Sequence, residues 1–211
     1  KSDLKNKSYL LLFLIFFFLL SALIIKNLNV NFLVNTILVS SAFFLFFITL
    51  RDFLIVKSKN LSQNIAHFGF SLLILSILFN NIFSTEIITN LKIGETFENK
   101  KIKINFENVK QKNEKNFIAI IGKFNIENTN GDIEILRPQL RIYNQPNIVT
   151  SEADIKTNLL KDRFLTMNQV QNQDYFNIRY QIKPFMIWIW FSVLLISFGG
   201  LKSLFQKRYE N

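Results

Sequence analysis

The sequence predicts an integral membrane protein with four transmembrane helices. A mainly β domain, an antiparallel sandwich or barrel-like sheet, lies between the third helix and the fourth. Three observations carry this. The apolar residues, 49% of the 211, come in blocks. Residues 84–183, which are predominantly polar, separate the third block from the fourth. Within them apolar and polar side chains alternate with period two, as half-buried strands require.

The spans fall at about 8–25, 32–50 and 61–83, with a last one opening the segment 184–211. Their apolar runs are 17 to 23 residues long. At about 1.5 Å per residue that crosses a hydrocarbon core of about 30 Å. The domains are therefore 1–83, 84–183, and 184–211 as a last helix with a tail.

Inside the polar stretch, Lys101–Phe106 alternates most plainly. Phe117–Ile126 and Ile133–Tyr143 read as two further strands around Asn128–Asp132, whose Asn130-Gly131 pair is a strong hairpin signal. Pro138 marks an edge or a bulge in the second of them. Lys110–Lys115 reads as a loop, and Ser151–Leu160 as a short helix capped by Ser151. Tyr175–Ile182 is a last strand leading towards the membrane.

Orientation follows the basic residues. Lys1, Lys5 and Lys7 precede the first span, and only Lys26 follows it. Arg51, Lys57 and Lys59 flank the second loop, and Lys202, Lys207 and Arg208 the end. Both ends are thus expected in the cytoplasm and the β domain outside. The formal charge of +10 does not indicate nucleic acid, since no basic stripe interleaved with aromatics accompanies it. The chain contains no cysteine, which excludes disulfides, thiol redox centres and C-x-x-C-H haem attachment. It starts at Lys1 rather than Met, as a piece of a longer protein would.

The outer domain offers no phosphate loop, histidine or paired metal-binding carboxylates. Arg137 and Arg141, four apart, would share a strand face and could grip a carboxylate or a haem propionate. Pairing with nearby acids, or solvation, is the more ordinary explanation. In the last span, Pro184 suits a first helical turn, and Trp188 and Trp190 suit the membrane interface. Gly199-Gly200 suits close packing or a helix end.

The candidate site is His67, the single histidine, about two turns into the third span. An ionisable group there is costly and is a functional-site hypothesis by default. At 100° per residue, Gln63, Asn64, His67, Ser71 and Asn81 fall within about 100° of one another. In one reading His67 ligates a metal or haem iron while Asn64 or Ser71 orients its ring. In the other the stripe only joins helices by hydrogen bonds.

These residues belong to a wider pattern. Ile65-Ala-His-Phe-Gly69, Leu136-Arg-Pro-Gln-Leu-Arg-Ile-Tyr143, Thr150-Ser-Glu-Ala-Asp-Ile155 with Leu159-Leu-Lys-Asp162, and Lys183-Pro-Phe-Met-Ile-Trp-Ile-Trp190 with Gly199-Gly-Leu201 occur in this order. Together they resemble signatures of the CcmF family of cytochrome c-type biogenesis proteins, over about residues 61–208. The resemblance implies the C-terminal part of a haem lyase subunit in a bacterial inner membrane, or an organellar one, with a periplasmic β domain. It also implies haem b with His67 as one axial ligand, Asn64 and Ser71 beside it, and the second ligand outside this chain. Implied partners are the upstream part of the same protein, other haem lyase subunits, a haem chaperone, apocytochrome c and quinol. The alternative is a non-catalytic membrane scaffold that presents its β domain to partner proteins. A transporter half would need broken spans or intramembrane acids, which the spans lack.

Overall fold

The computed structural model describes residues 2–28, 30–55, 61–100, 102–128, 131–170 and 174–209, with side chains except at 2–8, 55 and 206–209. Lys1, Lys57, Lys59 and Asn130 lie outside the described residues. The chain forms two compact units, Lys1–Phe83 with Phe185–Asn211, and Ser84–Pro184.

The first unit contains α1 (Ser2–Ile25), α2 (Phe32–Ile55), α3 (Leu61–Phe83) and α4 (Met186–Tyr209). Phe32–Leu54, Leu61–Phe83 and Met186–Phe205 are long and apolar enough to cross a membrane. The apolar part of α1, Tyr9–Ile25, is shorter, at 17 residues. Helix α1 packs on α2, α2 on α3, and α3 on α4. Phenylalanines fill the first two contacts: Phe17 stacks on Phe43 and Phe47, and Phe53 on Phe68.

Small residues make the third contact. Gly69 lies against Leu195 and Ile196, and Gly199 against Ser62 and Ala66, so the backbones approach closely. Gly199 is therefore a packing residue, and α4 runs on past Gly200 to Tyr209. Hydroxyls inside the helices turn onto their own backbone, as Ser21 does onto the Phe17 carbonyl at 2.7 Å.

The second unit is entirely β among the described residues. Its strands are β1 (Thr85–Leu91), β2 (Thr96–Glu98), β3 (Ile102–Asn113), β4 (Phe117–Asn128), β5 (Ile133–Leu136), β6 (Gln139–Asn144), β7 (Asn147–Glu152), β8 (Asp154–Thr157), β9 (Lys161–Gln169) and β10 (Phe176–Pro184). One antiparallel sheet has the order β1-β10-β9-β8, and the other runs β2-β3-β4-β6-β7 with β5 also paired to β4. Alternate residues of both sheets form one core: Ile102, Ile104 and Phe106, Phe124 and Ile126, Leu165 and Met167, Ile178 and Tyr180. This is the sandwich expected from the period-two alternation.

The Asn128–Asp132 hairpin forms, with Gly131 at a φ of 80°. Pro138 interrupts its return arm into β5 and β6, which separates Arg137 from Arg141.

Three local expectations fail. Lys110–Asn113 is strand rather than loop, because each residue pairs with the apolar run Ile118–Ile121 of β4. The partner supplies the signal that the exposed lysines lack. Ser151–Leu160 is strand and turn rather than helix. It has no apolar stripe at helical spacing, and the Ser151 hydroxyl donates to the Met167 carbonyl at 2.8 Å instead of capping. Pro184 ends β10 opposite Lys161 rather than opening α4. The cap position goes to Phe185, whose carbonyl accepts from the N–H groups of Trp188 and Ile189.

Candidate functional site

Helix α3 is held from two sides, and those contacts fix which way His67 faces. Ser62, Ile65, Gly69, Leu72 and Ser76 are buried. Against α2, the Ser71 and Thr49 hydroxyls are 2.6 Å apart, and Ser71 also donates to the Phe68 carbonyl at 2.8 Å. The Asn64 amide reaches the Asp52 carbonyl at 3.2 Å, about two turns nearer the helix start. The remaining face carries Gln63, His67, Phe70, Ile77 and Asn81, all exposed.

The polar stripe seen on a helical wheel is therefore divided. Asn64 and Ser71 point into the α2 contact, while Gln63, His67 and Asn81 stay on the uncovered face. Among the described residues no group of three or more histidine, cysteine or carboxylate side chains could hold a metal ion. An imidazole on an open helix face beside Phe70 could hold a haem, whose faces are apolar. His67 is the single histidine of the sequence and so supplies one such donor.

A cleft of 680 Å³ lies elsewhere, between α1 and α2, lined by Tyr9, Phe13, Phe47, Arg51 and Leu54 among others. His67 takes no part in it.

In the β domain the two arginines are not brought together as a clamp. The Arg141 guanidinium stands 3.8 Å from Glu152 and over the Phe117 ring, 5.1 Å from its centre. Arg137 is exposed, and its backbone N–H donates to Asp154 at 2.6 Å. Sequence reasoning missed a partly buried ion pair, Arg163–Glu134 at 2.9 Å, next to the buried Tyr180. Burial pushes the Tyr180 hydroxyl up to about 12, against the pull of Arg163. No spacing in the sequence signals this cluster, because its three members come from β5, β9 and β10.

Residues 82–184, the second unit almost to the residue, match the family model described as the CcmF C-terminal beta-sandwich. The β unit belongs to the CcmF family. It is 28% identical over 148 residues to the cytochrome c-type biogenesis protein CcmF of Pseudomonas fluorescens, covering 70% of this chain and 22% of that protein. It is 31% identical over 120 residues to the cytochrome c-type biogenesis protein ccl1 of Rhodobacter capsulatus, covering 57% of this chain and 18% of that one. Among solved structures, one titled cytochrome c heme lyase CcmF superposes with a TM-score of 0.67 at 20% identity. That superposition covers 94% of this chain and 34% of the other. The chain thus spans about a fifth of its curated CcmF relatives. The relatives it matches are named for cytochrome c-type biogenesis, and three of this chain's helices are long and apolar enough to cross a membrane.

Proposed function

We propose that this chain is the C-terminal part of the haem-handling subunit of a cytochrome c haem lyase, with His67 as one axial ligand of a membrane b-type haem. The observation that carries the proposal is His67 itself. The sole histidine of the chain stands on the one face of α3 that neither α2 nor α4 covers.

A haem bound there supplies one-electron chemistry when reduced. The chain's own residues do the holding. His67 offers a ring nitrogen, and Phe70, one turn on, offers apolar contact. Asn64 and Ser71 act on His67 through the helix, since their bonds to α2 set the rotation of α3. The second ligand comes from the upstream part of the same protein.

The β domain is periplasmic in this reading, both ends are cytoplasmic, and the membrane is the bacterial inner membrane. Other lyase subunits, a haem chaperone and apocytochrome c are the partners, with quinol as electron donor. The test is the dithionite-reduced absorption spectrum of the purified membrane protein, native and His67→Leu. A b-type band lost in the variant at unchanged protein level is the expected result. A band that persists removes His67 from the site. Absence of haem from both proteins leaves a membrane scaffold, in which α3 serves packing alone.

A further inference from the structure

The β8–β9 hairpin has a tip that turn chemistry does not explain. The Asn158 N–H donates to the Lys161 carbonyl at 3.1 Å, which leaves Leu159 and Leu160 as the two central residues of the turn. Such positions favour Gly, Asn, Asp, Ser or Pro, each for a backbone reason that leucine cannot supply. Asn158 holds the turn's backbone: its Oδ1 accepts from the N–H groups of Leu160 and Lys161 at 2.9 and 2.8 Å. Neither leucine side chain is buried in the sandwich core. They are 68% and 65% exposed. Single exposed leucines are ordinary, but an adjacent pair at the summit of a tight turn is not.

The register says which end of the sheet the tip occupies. Pro184 of β10 is opposite Lys161, so Leu160 lies one residue beyond the end of β10. Beyond that end the chain passes through Phe185 alone into α4, and on the neighbouring strand β1 it arrives from α3 through Ser84 alone. The tip is thus at the end of the sheet from which two membrane-length helices depart. Basic residues lie near this end of the register: Lys161 adjoins the tip, Lys156 is opposite Arg163, and Lys183 is opposite Asp162. Apolar tips with basic residues nearby match the boundary between acyl chains and anionic headgroups.

We propose that Leu159 and Leu160 insert into the lipid interface of the membrane that α3 and α4 cross. They form a third, non-spanning anchor that holds the β domain against the bilayer surface. This rests on the helices crossing the membrane but not on haem binding.

The absence of cysteine makes the test direct, since one introduced thiol is the only one in the chain. Leu160→Cys, labelled with an environment-sensitive fluorophore, is reconstituted as the full chain in phosphatidylethanolamine–phosphatidylglycerol vesicles. Ile93→Cys, 54% exposed beyond the far end of β1, serves as the wet control. Leu194→Cys, 67% exposed on α4, reports on the span itself. The expected result is a blue-shifted emission at Leu160, lost when lipids carry a nitroxide high on the acyl chain, with Ile93 unaffected. A label at Leu160 that emits as in water overturns the proposal. So does a blue shift that lipid nitroxides leave unquenched, because protein then covers the tip. Failure of the Leu194 label to be quenched instead strikes the membrane-crossing reading.

Discussion

Gly199 meets Ala66 so closely that a Cβ added to the glycine would stand 2.8 Å from the Ala66 backbone nitrogen and 2.8 Å from the Ser62 carbonyl oxygen. Both obstacles are backbone, so neither can rotate away. Gly199→Ala must therefore push α4 off α3, at a cost of about 1–3 kcal/mol typical of overpacking. Gly200 is the internal control, with nothing within 4 Å of its added Cβ. There alanine gains up to about 1 kcal/mol of helix propensity. Thermal unfolding in detergent should rank Gly200→Ala at or above the native protein and Gly199→Ala clearly below it. Equal midpoints for the two variants would remove the close contact.

Tyr180 supplies an alkaline prediction. Its hydroxyl has an ordinary value of 10.0, raised by burial to about 12. Between those values the unfolded chain ionises while the folded chain does not, so stability is complete below about 10 and declines as pH rises towards 12. Tyr180→Phe keeps the ring in the core and removes the titration. The β signal in circular dichroism should then hold to higher pH in the variant than in the native chain. Parallel alkaline loss in both would show that another group is responsible.

The sandwich was legible because β3 and β4 carry their core residues at strict alternation, Ile102, Ile104 and Phe106 facing Phe124 and Ile126. Period two needs no partner to be seen. The distal half of β3 was not legible, because Lys110 and Lys112 become strand only through Ile121 and Ala119 opposite. The same holds at the site. A helical wheel places Asn64, His67 and Ser71 together, but Thr49 and the Asp52 carbonyl, both on α2, divide them. Angle on one helix was readable, whereas the identity of its neighbours was not.

Glu86 on β1 contributes to the acid limb. Its carboxylate pairs with Arg179 and accepts from Gln181 at 3.0 Å, both on β10. The bond from Arg179, then that from Gln181, holds it below the ordinary 4.5. A lowered carboxyl stabilises above its unfolded value and loses that contribution as pH falls through the folded one. Glu107, bonded to Lys123 and Asn125, behaves likewise. Both are solvent-exposed, so the effect is small and screened by salt. Glu86→Gln should flatten the loss of stability below pH 4.5, and added salt should shrink the difference between variant and native. An acid limb identical in both would detach Glu86 from it.

Ser71 and Thr49 test whether the α2 contact positions His67 or only packs beside it. Their hydroxyls share one hydrogen bond at 2.6 Å, and such bonds between membrane helices average about 0.6 kcal/mol. Ser71→Ala and Thr49→Val should each cost about that much, and the double variant little more than either single one, because the second change finds no bond left to break. If the bond sets the rotation of α3, each single variant should also shift or broaden the reduced haem band that His67→Leu is expected to abolish. A coupled loss of stability with an unaltered band would confine Ser71 to helix packing and leave the imidazole oriented by Gly69 and its contact with α4.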